Sequence, residues 1–413
     1  MSGRVSTLAA LLVTLLTATS LAATPQADAR AAETRPAPGP HLAATATELD
    51  DALDCPQHEA GKAPVLLVHG TSTTPDISWS EGLRPLLSRD GYTVCTVRLP
   101  ANAVGDINIA SHFVVASIRA MVDRYHRPVN LVGHSQGGML LRWVLKWWPD
   151  TRSLVGDVIG LAPSNHGAPL ADALCVAACP AGIWQQRPGS QFLSALNAGD
   201  ETPGRVDYSV FYSTTDTTVN APSPVIRGDS DDTNIAVQSI CPGRDVSHTQ
   251  MQYDAIAVAL VRDALTHVGP ARPARISRVL CAQKYSAGID EQEADRQQRR
   301  GAAYSAVAIA GAKQITSEPP LAAFAKGPAP RPHATIRVRS SRASNGAYRL
   351  ALRAVGEAGR EHWPLPFATF YVADRRAPVG PEGRASLRLP RLTRHDTITL
   401  RARGLAPVQR RLR

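Results

Sequence analysis

The stretch Val129-Asn-Leu-Val-Gly-His-Ser-Gln-Gly-Gly-Met-Leu-Leu141 decides the fold of this chain. Its first four residues are typical of a buried strand, the next five have the pattern G-x-S-x-G, and a helical run then continues until Pro149. A serine in a sharp turn between strand and helix forms a nucleophile elbow, and flanking glycines allow the close approach that the turn needs. The stretch therefore predicts that Ser135 is a nucleophile, with a purely structural turn as the alternative.

Short apolar runs alternate with longer amphipathic runs on both sides of this stretch. Such alternation is typical of β-α units that build a mostly parallel sheet. We therefore predict an α/β domain over residues 48–316. Its predicted strands are Pro64–Val68, Thr93–Val97, Val129–Val132, Val155–Leu161, Ser209–Tyr212 and Asn234–Ser239, and its helices include Trp79–Ser88, Ile107–Tyr125, Gly137–Trp148 and Glu291–Ile315.

A serine nucleophile needs a histidine base within reach, and an acid must orient that base. Where the chain order is serine, acid, histidine, the base lies in a late loop. His248 lies in such a loop, before a predicted helix at Asp254–Val268. His166 comes too early in the chain, and His267 lies late in that helix. We therefore predict that His248 is the base.

The acid is expected where a later strand ends, because loops at the carboxyl ends of parallel strands carry function. Asp216 follows the run Ser209–Thr215 directly. An aspartate that only forms a turn is the alternative. We predict Asp216 as the acid, and the rival candidates are Asp207, Asp231, Asp232 and Asp245.

The first predicted strand runs directly into His69-Gly-Thr-Ser-Thr-Thr74. Amides of such a loop, with the amide that follows the nucleophile, can bind the oxygen that becomes negative during acyl transfer. We predict that Thr71 and Gln136 are these two donors. A tight turn at Gly70 without this role is the alternative.

The chain begins with the features of an export signal. Residues 1–23 carry one positive charge, an apolar run and small residues, as a cleaved secretory signal peptide does, and residues 24–47 predict a flexible leader. The six cysteines predict three disulfides in an oxidising compartment, and they lack zinc-finger spacing. We expect a secreted protein that requires no metal and no cofactor.

Residues 317–332 are rich in proline, and this composition predicts a linker. The spacing of the apolar residues changes after this segment. Apolar and polar residues then alternate with a period of two, and the turn Asn345-Gly346 separates two such runs. We therefore predict a small β-sandwich as an accessory domain at residues 333–413. Its predicted strands include Thr335–Arg339, Tyr348–Arg353, Ala368–Val372, Ala385–Leu389 and Thr397–Ala402.

The formal net charge is +10 and the pI is near 9.6, and much of the excess lies after residue 330. We interpret this excess as a solvated basic face. Attraction to an anionic lipid or cell-envelope surface is the alternative. We expect no nucleic-acid partner and a monomeric protein.

Separated motifs follow one another in a fixed order along roughly residues 50–315. They are Val65-Leu-Leu-Val-His-Gly-Thr-Ser-Thr-Thr74, Gly91-Tyr-Thr-Val-Cys95, Ser135-Gln-Gly-Gly138, Ala162-Pro163, Trp184-Gln-Gln186 and Tyr212-Ser-Thr-Thr-Asp216. With the spacing to His248, they resemble the family of Candida antarctica lipase B and its bacterial relatives, within the α/β-hydrolase superfamily. The resemblance implies the α/β-hydrolase fold and a secreted lipase.

The resemblance also implies roles for individual residues. It gives a triad of Ser135, Asp216 and His248, with Thr71 donating from its amide and hydroxyl and Gln136 from its amide. Gln186 is implied to line the acyl pocket. The implied disulfides are Cys55–Cys95 and Cys241–Cys281, which leaves Cys175 to pair with Cys179 and to staple a short lid helix.

Three positions depart from the family pattern. The fungal enzyme has threonine at Gly133, tryptophan at His134 and an acidic residue at Ser164, so its substrate preference is not transferred to this chain. We predict a lipase or esterase that hydrolyses acylglycerols or related lipid esters through an acyl-enzyme. A cutinase-like polyesterase, a thioesterase or a phospholipase on the same fold is the alternative. A binding protein, in which the β-rich tail binds the partner and the hydrolase domain is inactive, is a further hypothesis from a different functional class.

Overall fold

The computed structural model describes residues 38–228, 232–393 and 395–412. The predicted signal peptide, residues 24–37 of the predicted leader and the rival acid Asp231 lie outside the described residues. In the part described, no helix is both long and apolar enough to cross a membrane.

Helices and strands alternate as far as α11, which ends at residue 311, and strands dominate the rest of the described chain. The helices are α1 Ala46–Ala52, α2 Pro75–Trp79, α3 Leu83–Arg89, α4 Ile107–Tyr125, α5 Gln136–Trp147, α6 Pro169–Leu174, α7 Ala181–Trp184, α8 Gln191–Asn197, α9 Val237–Ile240, α10 Ala255–Thr266 and α11 Glu291–Gly311. The strands are β1 Leu53–Asp54, β2 Val65–Val68, β3 Val94–Val97, β4 Val129–His134, β5 Val155–Leu161, β6 Cys179–Pro180, β7 Asp207–Tyr212, β8 Asp232–Ala236, β9 Gln314–Ile315, β10 His333–Arg342, β11 Tyr348–Ala358, β12 Glu361–Pro364, β13 Thr369–Val372, β14 Arg375–Pro378, β15 Arg384–Leu389, β16 Thr397–Arg401 and β17 Val408–Arg411.

A seven-stranded sheet carries the first part of the chain, in the order β1-β3-β2-β4-β5-β7-β8. Strand β1 is antiparallel to β3, and the other neighbours are parallel. Both faces are buried: Leu66 and Val68 pack with residues of α4 and α5, while Val65 and Leu67 pack with residues of α3 and α10. Burial on both faces explains the continuous apolar runs of these strands. The predicted α/β fold with a mostly parallel sheet is confirmed.

Three predicted elements have different bounds in the structure. The helix predicted at Glu291–Ile315 ends at Gly311, because Gln314–Ile315 form the short strand β9 that pairs with β6. The helix predicted at Trp79–Ser88 is two helices, because Gly82 between α2 and α3 has φ −130° and ψ −115°, which no helix contains. The strand predicted at Asn234–Ser239 ends at Ala236, where the chain turns into the short helix α9. None of these differences lies in the turn around Ser135.

The last eighty residues form two antiparallel sheets. In one, β11 lies between β10 and the strands β12 and β15, and the other has the order β14-β13-β16-β17. Alternate side chains of both sheets, such as Leu350, Leu352, Phe370 and Leu400, are buried in one shared core. Two sheets that bury a common face are the arrangement of a small sandwich, which fits the predicted extra domain.

The proline-rich segment 317–332 lies against the α/β part of the protein. Phe324 packs on Trp143, Trp147 and Trp148, with ring centroids 5.4–6.3 Å apart. The carboxylate of Glu318 accepts the N–H groups of Gln191 and Phe192 at the start of α8, each at 2.8 Å. Buried rings and a helix cap fix this segment, although its composition is typical of a flexible linker.

Candidate active site

Ser135 lies between β4 and α5 with φ 56° and ψ −126°, a conformation that is strained for a residue with a side chain. The flanking glycines make this turn possible. A Cβ on Gly133 would lie 2.5 Å from the backbone of Gly137 and Gly138, and a Cβ on Gly137 would lie 2.3 Å from the carbonyl oxygen of Val68. Strand and helix are therefore in direct backbone contact, and the serine side chain faces the carboxyl edge of the sheet.

The loop 69–74 lies directly against Ser135. A Cβ added to Gly70 would lie 2.9 Å from the Cβ of Ser135, which places Thr71 beside the serine. His69 anchors this loop: its Nε2 accepts the amide of Leu99 at 3.0 Å, and its Nδ1 donates to the carbonyl of Gly70 at 2.9 Å. Burial lowers the pKa of His69 to about 4, so the ring stays neutral and keeps both bonds at neutral pH.

Asp216 and His248 meet at the same edge, although 32 residues separate them. The Nδ1 of His248 donates to Oδ2 of Asp216 at 2.6 Å, and Oδ1 of the carboxylate accepts the amides of Thr218 and Val219 at 2.7 and 3.0 Å. Burial alone would raise the pKa of the Asp216 carboxyl, but His248 and these two amides outweigh it and lower that pKa below its usual value. The carboxylate is therefore held ionised and aimed at the imidazole.

The rival candidates lie elsewhere. Asp245 is exposed, and Asp207 begins strand β7 rather than following its end. His166 bonds to the carbonyl of Ser223 and to Glu201, away from Ser135. Among the described residues, Asp216 is the carboxylate that the structure pairs with His248.

His134, which precedes the nucleophile, is a site residue that the sequence reasoning missed. Its Nδ1 accepts from the side-chain amide of Gln252, and its Nε2 donates to the carbonyl oxygen of His248, each at 3.0 Å. The two imidazole rings lie 4.7 Å apart. Burial, together with the charge of His248, lowers the pKa of His134 to about 3, so this ring is neutral at neutral pH. His134 thus fixes the backbone of His248 and adds no charge beside it.

Gln186 is held in a network rather than free in the pocket. Its Nε2 donates to Oγ1 of Thr71 at 2.8 Å and to the carbonyl of Gly182 at 2.9 Å, while its Oε1 accepts from Ser164 at 2.9 Å. Because Oγ1 of Thr71 accepts here, its own hydrogen is directed away from Gln186. Gln186 lines the cavity and is hydrogen-bonded to Thr71, and its place in an acyl pocket stays a prediction.

Ser135, His248, Thr71 and Gln186 line one cavity of about 260 Å³. Helix α11 covers part of it with residues one turn apart, and Oγ of Ser305 on this helix lies 2.5 Å from Oγ of Ser72. The sequence reasoning placed this helix but did not assign it to the site, and the spacing of small and polar residues was the available signal. The residues of α11 in the lining are Gln297, Gln298, Gly301, Ala302, Ser305 and Ile309.

Helix α6 contributes the apolar side chains Leu170 and Leu174 to the cavity lining. The disulfide Cys175–Cys179 follows this helix directly, and β6, which begins at Cys179, pairs with β9 after α11. The two elements that flank the cavity are therefore tied together. The structure also contains the other two implied disulfides, Cys55–Cys95 and Cys241–Cys281.

Comparison with known proteins places this arrangement in a family. Residues 65–326 match the Alpha/beta hydrolase family. The chain belongs to this family. The β-rich residues after 326 lie outside the match.

Two lipases and one solved lipase structure are similar to this hydrolase. Lipase B of Pseudozyma antarctica is 30% identical over 278 residues, which cover 64% of this chain and 79% of that protein. A triacylglycerol lipase of Pseudomonas fragi is 30% identical over 153 residues, 34% of this chain and 50% of its own. The crystal structure of Aspergillus fumigatus lipase B is 26% identical with a TM-score of 0.66, and the match covers 70% of this chain and 73% of that one. The resemblance inferred from the separated motifs is confirmed.

Proposed function

We propose that this hydrolase is a secreted lipase or esterase that cleaves carboxylic esters with an apolar acyl chain. Ser135 is the nucleophile, His248 the base and Asp216 the residue that orients the base. One observation carries the proposal: His248, which is hydrogen-bonded to Asp216, lines the same cavity as the strained Ser135 and Thr71. The relatives named as lipases support ester bonds as the target.

The reaction has two halves. In the first, Nε2 of His248 takes the proton of Ser135 while Oγ attacks the ester carbonyl, and the same proton then passes to the leaving alcohol. In the second, His248 takes a proton from water, the hydroxide attacks the acyl-enzyme, and the carboxylic acid leaves as Oγ recovers its proton. Because Nδ1 of His248 donates to Asp216, Nε2 has its lone pair available, and the carboxylate stabilises the imidazolium that forms.

The negative oxygen of the tetrahedral intermediates needs preorganised donors. The amide of Gln136 is the first of helix α5, where N–H groups have no partner within the helix. Thr71 supplies its amide and its hydroxyl, whose hydrogen is free because Gln186 occupies an acceptor position of Oγ1. These three donors form the proposed oxyanion hole.

The cavity lining supports an acyl ester as substrate. Leu170 and Leu174 of α6 and Ile309 of α11 are apolar, and they line the same cavity as Ser135. A volume of about 260 Å³ is slightly below the range of about 300 to 1,000 Å³ that is usual for small-molecule sites. We therefore expect the enclosed part to hold one acyl chain, with the alcohol part of the ester nearer to solvent.

Export is part of the proposal. The three disulfides of the structure support an oxidising compartment, where such bonds persist. Residues 1–23 are proposed to be removed on secretion, and the mature enzyme is proposed to act as a monomer.

The test is the substitution Ser135→Ala, assayed on p-nitrophenyl esters from acetate to palmitate. Turnover should fall by a factor of about 10⁶ because the acyl-enzyme cannot form. Ser305→Ala is the matched control, since this serine lines the same cavity outside the elbow. Retained turnover in Ser135→Ala with an unchanged circular dichroism spectrum would refute the proposal.

A further inference from the structure

The net positive charge of this protein comes entirely from its C-terminal part. Residues 333–413 contain 17 arginines, no lysine and 5 carboxylates, which gives a formal net charge of +12. The other 332 residues contain 28 basic and 30 acidic side chains, a net charge of −2. The excess is therefore a property of the two small sheets and not of the hydrolase sheet.

The arginines of one sheet lie in rows on its outer face. In the pairing of the strands, Arg337 on β10 is opposite Arg353 on β11, and Arg353 is opposite Arg384 on β15. Four residues along the strands, Arg349 is opposite Arg388, and Arg339 lies between the two rows. Since side chains alternate between faces, these six arginines share the face opposite to the buried Leu350 and Leu352. We call this surface the arginine face.

The charges of the arginine face are poorly compensated. Arg337 lies 3.4 Å from Glu357, whereas the other five arginines form no ion pair with a carboxylate of the described residues. Like charges directly opposite each other on neighbouring strands destabilise a sheet. Protection of an edge strand explains charges on β10, but Arg349 and Arg353 belong to β11, which is paired on both sides. An external anion explains both the rows and their lack of partners.

The arginine face belongs to a part of the molecule that is separate from the substrate cavity. The C-terminal sheets contact the hydrolase sheet where β5 and β7 begin: Gly404 bridges to Arg205, and Arg403 lies 3.5 Å from the carbonyl oxygen of Gly156. His134, next to the nucleophile, pairs with Leu161 at the other end of β5. These two ends of a seven-residue strand are about 20 Å apart. A partner on the C-terminal sheets therefore has no need to enter the catalytic pocket.

We propose that the arginine face binds the surface of a bilayer that contains anionic phospholipids. The arginines extend along the strands and across three strands, and such a two-dimensional array matches a planar layer of phosphates better than a single linear chain. Guanidinium groups bind phosphate oxygens through paired hydrogen bonds. The described positions of this face carry no Phe, Tyr or Trp side chain for stacking on bases, which argues against single-stranded nucleic acid.

The experiment is co-sedimentation of the full-length secreted protein with vesicles of phosphatidylcholine, with and without phosphatidylglycerol. The test variant replaces Arg337, Arg349, Arg384 and Arg388 with glutamine. The matched control replaces Arg205, Arg227, Arg272 and Arg278 with glutamine, which removes the same charge from exposed positions of the hydrolase part. All three proteins are also assayed on a soluble p-nitrophenyl ester and in the presence of soluble polyphosphate.

We expect the unaltered protein to bind only vesicles with phosphatidylglycerol, and more weakly as salt rises. The test variant should bind about several hundredfold more weakly, since each of the four replaced residues contributes about fivefold near an anionic surface, and the control should retain its binding. Equal loss in both variants, equal binding to neutral vesicles, or binding to polyphosphate alone would each overturn the proposal. Soluble-ester turnover should be the same in all three proteins, so this result is independent of the proposed catalytic residues.

Discussion

The hydrolase sheet and the C-terminal sheets use polar residues in opposite ways. Around Ser135, polar groups are buried and fixed by named partners: His69, His134, Asp216 and Gln186 each make at least two hydrogen bonds. On the arginine face, the charges are mostly exposed and mostly without partners in the described chain. All six cysteines also lie before residue 282, and residues 333–413 contain none. Rigid placement is what chemistry at a single bond requires, whereas an exposed array is what we propose for contact with an extended partner.

The strongest test of rigid placement is Asp216→Asn. Turnover should fall by about 10⁴-fold, because an amide that donates to Nδ1 favours the wrong tautomer of His248 and cannot stabilise its charged form. The measurement is kcat on a soluble ester. Asp245→Asn, at an exposed rival position, should change kcat less than about threefold. Equal effects would show that Asp216 does not orient the base.

A smaller effect is expected from the oxyanion loop. Thr71→Val removes one donor and should lower kcat by about 10²-fold with little change in KM. Gln186→Leu should lower kcat by about tenfold, because the threonine hydroxyl loses the partner that orients it. The two substitutions should not be additive, so the double variant should resemble Thr71→Val. Independent, multiplying effects would mean that Gln186 acts on the acyl chain alone.

The smallest effect concerns the pH dependence of stability. The pKa of His134 is about 3 in the folded protein and near 6.5 when unfolded, so the unfolded state binds one more proton between these values. The free energy of unfolding should therefore fall as pH falls, by about 1.4 kcal/mol per pH unit for this residue between about pH 6 and pH 4. His69, with a pKa of about 4, adds to the slope down to that pH.

Urea unfolding at several pH values measures this slope. Glutamine does not titrate, so in the variant His134→Gln the slope of the unfolding free energy against pH should be smaller by the contribution of one proton. His395→Gln, at an exposed position of the C-terminal sheets, should leave the slope unchanged. A slope that is the same in His134→Gln and in the unaltered protein would show that His134 is not buried in its neutral form.

The sequence determined those features that depend on spacing along the chain. The elbow around Ser135 is local, because a strand, a serine between glycines and a helix follow one another within thirteen residues. The predicted order of Ser135, Asp216 and His248, the parallel sheet and the two-residue period after residue 333 are likewise patterns of neighbours. Such patterns are visible because backbone geometry repeats every two or 3.6 residues.

Tertiary structure alone decided what remote residues do together. His134 donates a hydrogen bond to the backbone of His248, α11 lines the cavity, and segment 317–332 packs on the α/β part of the protein. Packing brings these residues together, although no period of the sequence relates them. The rows of the arginine face depend on strand register, and a shift by one residue would turn these arginines into the core. Composition set how many charges this region carries, and only the pairing of strands set where they lie.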